Sequence, residues 1–249
     1  MRALVVIPTY NEAENMDEVL RRTLAAVPDG HVLIVDDGSP DGTADLAEKI
    51  GVELGGGGVD VLRRTEKQGL GAAYRAGFAW GMEHGYDVLI EMDADLSHDP
   101  AALPGLLAAV TGGADLAIGS RYVKGGSIPD WTWHRRALSR YGNVYASTVL
   151  GMGVHDMTSG YRAYRADTLR LLNATDFQSH GYTFQIETAY RVSRAGGSIA
   201  EVPIAFTDRV RGTSKMSGMI VVEALVRVTS WAVRDRLLHN VLLLVSRNR

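Results

Sequence analysis

Apolar residues recur along this chain in two alternating rhythms. Short runs at Ala3-Leu-Val-Val-Ile7, His31-Val-Leu-Ile-Val35, Val59-Asp-Val-Leu62, Val88-Leu-Ile90 and Ala114-Asp-Leu-Ala-Ile118 have the length and β-branched content of strands buried inside a sheet. Between them the apolar positions fall at helical spacing. Met16, Val19, Leu20, Leu24 and Val27 share one face, and Leu103, Leu106, Leu107 and Val110 share another. Asn15 and Glu18 stand at capping-box-like spacing in the first of these helices. A second helix is predicted from Thr43 to Ile50 and a third, rich in small residues, from Gly69-Leu-Gly71 to near Gly85. Pro100 opens a fourth. Strand and helix alternate regularly over roughly the first half of the chain. That predicts an α/β fold, a mostly parallel sheet with helices on both faces.

The second half is less regular. Thr158-Ser-Gly-Tyr-Arg-Ala-Tyr164 reads as a strand, and Gly181-Tyr-Thr-Phe-Gln-Ile-Glu187 opens a helix with Gln185 and Glu187 near its start. Ala200 to Phe206 can only be an edge strand, because Pro203 has no N–H to give a ladder. From Met219 to Val245 charged residues such as Glu223, Arg227, Arg234 and His239 interrupt a long helical pattern. It reads as C-terminal amphipathic helices, which would lie on a membrane surface, on a partner, or on the chain's own core. The expected division is an α/β domain over residues 1–217 and an amphipathic helical tail over 218–249.

Composition narrows the function. Of 249 residues, 46% are hydrophobic and 22% charged, enough for a substantial core. A net charge of -3 argues against a nucleic-acid partner. The absence of cysteine excludes disulfides, thiolate metal sites and a cysteine nucleophile. The apolar run at Ala3 to Ile7 stops at Pro8 and is followed by Asn11 and Glu12, unlike a signal peptide. No uncharged stretch approaches the ~20 residues needed to span a bilayer.

Polar clusters follow the first, second and fourth predicted strands: Pro8 to Glu12, Asp36-Asp37, and Asp93-Ala-Asp-Leu-Ser97. In a parallel sheet all three reach the carboxyl edge, where open α/β folds bind nucleotides. Carboxylates crowded at a buried strand end repel one another, and a divalent cation removes the conflict. Asp93 and Asp95 are hard oxygen donors suited to Mg²⁺ or Mn²⁺. The same residues would also serve as a surface turn with a capping Asp, and Asp36-Asp37 as plain turn chemistry. Gly69-x-Gly71 is no dinucleotide fingerprint, since Tyr74 occupies the third glycine position and the motif follows the third strand. Arg121, after the fifth strand, brings a cation to this edge that suits phosphate or a salt bridge. Arg135 and Ser139 lie one helical turn apart and can grip one anion together. Asp208-Arg-Val-Arg-Gly-Thr-Ser-Lys215 puts three cations in a glycine-containing loop, in the manner of a phosphate lid.

Taken in order, Val6-Ile-Pro-Thr-Tyr-Asn-Glu12, Val35-Asp-Asp-Gly-Ser-Pro-Asp-Gly42, Gly69-Leu-Gly71, Asp93-Ala-Asp-Leu-Ser-His98, Gly119-Ser-Arg-Tyr122, Thr158 to Tyr164, Phe184-Gln-Ile-Glu187 and Asp208 to Lys215 resemble the family 2 glycosyltransferases of GT-A (Rossmann-like) fold. Within them the chain is similar to the dolichyl- or polyprenyl-phosphate mannosyltransferases. The resemblance implies inverting transfer of mannose from GDP-mannose to a polyprenyl monophosphate. It assigns Pro8, Tyr10, Glu12, Val35 and Asp37 to the guanosine. Asp93, Ala94 and Asp95 go to the ribose, the metal and the diphosphate, with Ser97 completing the metal shell directly or through water. Arg209 and Lys215 would close over the diphosphate, and Arg121, Arg135 and Ser139 would position the acceptor phosphate. It further implies peripheral attachment to the cytoplasmic face of a membrane, and leaves open a separate integral membrane anchor protein. A phosphate nucleophile is already ionised near neutral pH, so Glu187 is expected to orient groups rather than act as a base. Two other readings stay open: the same reaction with another donor such as UDP-glucose, and a non-catalytic nucleotide-sugar-binding protein.

Overall fold

The computed structural model describes residues 1–177, 181–208 and 224–235. Four strands, β1 (Ala3–Thr9), β2 (His31–Asp36), β3 (Val59–Arg63) and β4 (Val88–Glu91), run parallel in the order β3-β2-β1-β4. Helices α1 (Ala13–Ala26), α2 (Thr43–Glu53) and α3 (Leu70–Glu83) connect them, as the alternating pattern predicts. A 3-10 turn at Pro100–Ala102 leads into α4 (Leu103–Thr111) and β5 (Leu116–Ser120). The chain then stays at the carboxyl edge through α5 (Trp133–Val149) and re-enters the sheet from that side. Consequently β6 (Arg162–Arg165) runs antiparallel between β4 and β5. Helices α6 (Ala166–Leu171) and α7 (Gly181–Arg194) follow, and β7 (Ile199–Pro203) closes the far edge beside β5. Residues 224–235 form a further helix, α8.

The two-residue period of the strands divides the core in two. Val5, Ile7, Val32, Ile34 and Ile90 face Met16, Leu20, Ile50 and Leu106 on one side of the sheet. Leu4, Val6, Leu33, Val35 and Leu89 face Tyr74, Phe78, Phe184 and Val228 on the other. All of these are at most 3% exposed, and each buried aliphatic contributes roughly 1.5–3 kcal/mol of transfer free energy. The small residues of α3 let it approach closely. A Cβ on Gly77 would lie 2.3 Å from Val6 Cγ1, and one on Gly81 would lie 2.5 Å from Leu89 Cδ2.

Several local expectations change. Asn15 is no cap: it sits inside α1, and its Nδ2 donates to Glu12 Oε2 at 2.8 Å, while Glu18 pairs with Arg22. The α2 helix continues three residues past Ile50. Thr158 to Tyr161 lie outside the strand, which begins only at Arg162, because that segment turns at the carboxyl edge to make the antiparallel entry. Of the expected tail, residues 218–223 and 236–249 fall outside the described residues, whereas α8 packs Val228 and Trp231 into the core. Pro203 is accommodated as expected, at the end of an edge strand.

Candidate active site

Parallel register brings Thr9, Asp36 and Arg63 level at the carboxyl ends of β1, β2 and β3, and the antiparallel pairing of β4 with β6 sets Glu91 opposite Arg162. The loops beyond these ends build the site. After β4 the chain turns through Leu96, whose φ of 60° is left-handed. Asp95 stabilises this turn: its Oδ1 accepts the Ser97 N–H at 3.0 Å and the Ser97 hydroxyl at 2.6 Å. Ser97 is 1% exposed and acts on Asp95, holding one carboxylate oxygen in place. Asp93, with its side chain 28% exposed, accepts the Tyr74 hydroxyl at 3.2 Å. Its backbone N–H donates to His98 Nδ1 at 3.2 Å.

His98 has no role assigned from sequence, yet it lies between the acidic turn and the aromatic surroundings of Arg121. Its ring is 2% exposed and stacks on Tyr161 at 4.8 Å. Burial pushes its pKa down, Asp93 and Asp95 pull it up, and Arg121 pushes it down again. With Nδ1 accepting, the neutral ring carries its proton on Nε2, a tautomer inferred from the hydrogen bond. The imidazole is thus an uncharged spacer between the acidic pair and the Arg121–Asp156 pair.

The loops after β1 and β2 are sewn together. Asp36 accepts the Thr9 hydroxyl at 2.9 Å and the Ser39 N–H at 2.9 Å. Asp41 accepts the Ala13 N–H at 3.1 Å, and Thr43 Oγ1 accepts the Glu12 N–H at 3.0 Å. Pro8, Tyr10, Glu12 and Asp37 are therefore brought to one edge. Asp37 pairs with Arg64 at 2.6 Å, and Lys67 lies over the Tyr10 ring at 3.8 Å from its centroid. Burial raises the Asp37 pKa, and Arg64 opposes it. Neither Arg64 nor Lys67 was singled out from sequence, although both closely follow the third apolar run. Val35 is different from its neighbours: its side chain is 0% exposed in the core, so only its backbone is near this edge. Ala94 is also buried.

A second cluster forms where β5 ends. The Arg121 guanidinium is gripped by Asp156, Nε to Oδ2 and Nη2 to Oδ1 both at 2.7 Å. Glu201 on β7 holds the Asp156 backbone N–H at 2.9 Å and the His155 N–H at 2.8 Å. Arg121 Nη2 also donates to Thr158 Oγ1 at 2.9 Å. Asn143 on α5 completes the tie, accepting the Thr158 N–H at 3.0 Å and donating to Thr158 Oγ1 at 3.1 Å. Arg135 lies 4.0 Å over the Trp131 ring and pairs with Asp208 at 3.0 Å.

Arg121, Arg135, Ser139 and Thr158 supply polar groups to the lining of a cavity of about 90 Å³. Its remaining wall is apolar, from Leu138, Ile186, Leu225 and Val228 on α5, α7 and α8. The three acceptor-side residues expected from sequence thus share one cavity. Asp156, Asn143 and Glu201 carry no local signal of their own there. Arg209 and Lys215 lie outside the described residues. Glu187 is buried on α7 and accepts two hydrogen bonds from Arg191, at 2.8 and 2.5 Å.

Among the described residues no group of three or more His, Cys, Asp or Glu side chains is set to hold a metal by itself. Asp93 and Asp95 supply two hard carboxylates at one strand end. That donor set fits a Mg²⁺- or Mn²⁺-type ion that keeps its other positions for phosphate and water.

A sheet ordered this way, with an acidic pair beyond its fourth strand, is the GT-A fold of glycosyltransferases. The chain belongs to the family described as "Glycosyl transferase family 2", which matches residues 4–172. It is 52% identical over 236 residues to a polyprenol monophosphomannose synthase of Mycolicibacterium smegmatis, covering 95% of this chain and 89% of that one. It is equally 52% identical to an undecaprenyl-phosphate mannosyltransferase of Micrococcus luteus, covering 95% and 96% of the two chains. Among solved structures it is similar to glucosyl-3-phosphoglycerate synthase from Mycobacterium tuberculosis in complex with Mn²⁺, UDP-glucose and phosphoglyceric acid. The TM-score is 0.67 at 20% identity, over 92% of this chain and 80% of that one, a likeness of fold.

Proposed function

We propose that this chain transfers mannose from GDP-mannose to a polyprenyl monophosphate, with inversion at the anomeric carbon. The observation that carries the reading is a cavity lined both by arginine and hydroxyl groups, from Arg121, Arg135, Ser139 and Thr158, and by apolar side chains such as Leu138, Ile186, Leu225 and Val228. That combination suits an acceptor that is a phosphate joined to a long hydrocarbon. Two relatives whose names specify polyprenol or undecaprenyl-phosphate mannosyl chemistry support the same acceptor class and sugar.

In this reading Pro8, Tyr10, Glu12, Asp37 and the Val35 backbone hold the guanosine, with Arg64 and Lys67 fixing Asp37 and Tyr10. Asp93 and Asp95 hold a divalent cation, Ser97 orients Asp95, and Arg209 and Lys215 cover the diphosphate. The cation, when bound, offsets charge on the departing diphosphate. Arg121, Arg135 and Ser139 orient the acceptor phosphate. One of its oxygens attacks the anomeric carbon as the bond to the diphosphate oxygen breaks, giving polyprenyl-phosphate-mannose and GDP. Phosphate monoesters have a second pKa near ~6, so the nucleophile is ionised at neutral pH and no general base is needed. The rate then comes from positioning and preorganised charge. No described helix is long and apolar enough to cross a membrane, and the proposal places the protein peripherally on the cytoplasmic face.

The test is transfer of radiolabelled mannose from GDP-mannose into a lipid-extractable product, with polyprenyl phosphate and Mg²⁺ or Mn²⁺. Metal-dependent label that disappears in Asp95→Ala supports donor, acceptor and metal together. Label arising only from another nucleotide sugar would overturn the donor. No label from any donor would overturn the enzyme reading.

A further inference from the structure

One hydroxyl in the cavity beside Arg121 is set to donate outward. Thr158 lines that cavity with Arg121 and Ser139 and is half-buried. Its Oγ1 accepts from Arg121 Nη2 at 2.9 Å and from Asn143 Nδ2 at 3.1 Å. Neither neighbour can accept a proton in return. A guanidinium has no acceptor. The Asn143 amide is oriented twice over: its Oδ1 accepts the Thr158 N–H at 3.0 Å, and its Nδ2 also donates to the Ser139 carbonyl at 2.9 Å. The amino group therefore faces Thr158 Oγ1. Two donors fill both lone pairs of the hydroxyl oxygen, so its O–H is left to donate away from them. Among the described residues that O–H makes no hydrogen bond.

The segment carrying this hydroxyl is clamped from the inside. Thr158 lies between Met157 and Ser159, and Arg162, 0% exposed, donates to the carbonyls of both: Nη2 to Met157 at 2.8 Å and Nε to Ser159 at 2.7 Å. Arg162 Nη1 donates to the Gln185 carbonyl at 2.6 Å, one residue before Ile186 of the cavity wall. Asn143 is buried and ties the same segment to α5, one helical turn beyond Ser139. A donor fixed from two sides needs little reorganisation when an anion arrives. The Arg121 cation also polarises the hydroxyl it donates to, which strengthens the bond that hydroxyl makes outward.

The surroundings narrow what the proton can meet. Among the described residues lining the cavity, Arg121 and Arg135 are charged and no carboxylate is present. An anion there is favoured by both guanidiniums, and a hydrogen bond from a hydroxyl to a charged oxygen is among the shorter and stronger kinds. The apolar lining residues suit a hydrocarbon on the same molecule. We infer that Thr158 is a further acceptor-binding residue, whose hydroxyl donates to a phosphate oxygen of a prenyl-type monophosphate, and that Asn143 is the positioning residue that turns it outward. The contact favours a phosphate over an alcohol of the same chain, because a charged acceptor gains more from it than a neutral one. That the phosphate belongs to the sugar acceptor rests on the functional reading above; the outward O–H does not.

The test measures binding of farnesyl monophosphate, farnesol and inorganic phosphate to the full-length protein, in one detergent, for wild type, Thr158→Val and Thr158→Ser. Mannosyl transfer to farnesyl monophosphate is assayed alongside. Thr158→Val keeps the shape and loses the O–H, and circular dichroism checks its folding. It is expected to weaken farnesyl monophosphate binding about tenfold or more while leaving the affinities for farnesol and GDP-mannose within about twofold. Thr158→Ser restores the O–H and should return the phosphate affinity to within about threefold of wild type. A Thr158→Val protein that binds farnesyl monophosphate as wild type does would overturn the inference. So would equal losses for farnesyl monophosphate and farnesol, the mark of a merely structural role, and a Thr158→Ser variant no better than Thr158→Val. Inorganic phosphate bound by wild type as tightly as farnesyl monophosphate would assign the hydroxyl to free phosphate and overturn the acceptor contact. Thr158-dependent binding of farnesyl monophosphate without sugar transfer from any donor supports the phosphate contact while sinking the functional proposal.

Discussion

Asp156 holds Arg121 by three hydrogen bonds: two from the guanidinium at 2.7 Å and one from the backbone N–H at 2.9 Å. Asp156 is 0% and Arg121 7% exposed. Removing one member of such a pair leaves the other charge buried and unmatched, which costs about 3–5 kcal/mol. Asp156→Ala is therefore expected to lower the unfolding free energy measured by urea denaturation by that amount. The milder Asp156→Asn keeps the shape and loses the charge. It is expected to raise KM for polyprenyl phosphate about tenfold or more while leaving KM for the nucleotide sugar within about twofold. Equal changes in both constants would show that Asp156 supports the whole fold rather than the acceptor side.

The Ser97 hydroxyl and N–H both converge on one oxygen of Asp95. Ser97→Ala removes only the hydroxyl contact. Because groups that orient a metal ligand commonly contribute about 10–100-fold in metal affinity, the Mn²⁺ concentration giving half-maximal transfer should rise by about tenfold. Asp95→Ala should abolish metal-stimulated transfer altogether. A Ser97→Ala enzyme with an unchanged metal titration would remove Ser97 from the metal site.

Glu91 is 0% exposed at the end of β4, two residues before Asp93. Burial pushes its carboxyl up to about 7, against the opposing influence of Arg162 and the hydrogen bond from Gln185. An acid whose pKa is raised in the fold binds its proton more tightly folded than unfolded. Its contribution to stability is complete below its ordinary value of 4.5 and is lost as pH rises through about 7. The loss is on the order of 3 kcal/mol. Glu91→Gln stays neutral throughout, so the variant should lose less stability than wild type between about pH 5 and about pH 8. Parallel Tm curves for the two proteins, recorded without divalent metal, would contradict the assignment.

Gly77 sets the distance between α3 and the sheet. A Cβ there meets Val6 Cγ1 at 2.3 Å and Val35 Cγ2 at 3.3 Å, in the two strands whose ends carry the Pro8 to Glu12 and Asp36-Asp37 loops. Gly77→Ala should cost about 1–3 kcal/mol by overpacking, read from the denaturant midpoint. The gain in helix propensity of about 1 kcal/mol offsets only part of this. A stabilised variant would show that α3 can shift outward freely.

Much of this architecture is written locally. The apolar runs at Ala3, His31, Val59, Val88 and Ala114 predict strands, and all of them form, the last beginning at Leu116. The helical spacing between them predicts α1 to α4, because side-chain period and backbone period are the same local geometry. Given parallel strands, it follows that Pro8 to Glu12, Asp36-Asp37 and Asp93 to Ser97 share one edge. Arg135 and Ser139 were legible as a pair for the same reason, one turn apart on one helix. What the residues around Asn15 decide is also local but finer. The chain enters α1 three residues earlier than the capping-box spacing implies, and Asn15 bonds backward to Glu12.

The remaining features depend on which distant segments meet. The antiparallel entry of β6 follows from the path of α5 over the carboxyl edge, and it moves Thr158 out of the strand and onto Arg121. Arg121 reads in sequence as a cation for phosphate. Only packing supplies Asp156, 35 residues away, and Glu201, 45 residues beyond that. His98 acquires its role because burial and the Asp93 N–H select its neutral form between two charged pairs. Val35 has its side chain withdrawn from the carboxyl edge because the two-residue period turns it into the core. Sequence alone thus determined the elements and the edge on which the chemistry gathers, since both arise from neighbours along the chain. Tertiary structure decided which charges are paired and which side chains are buried, because those depend on long-range contact and on the loss of water.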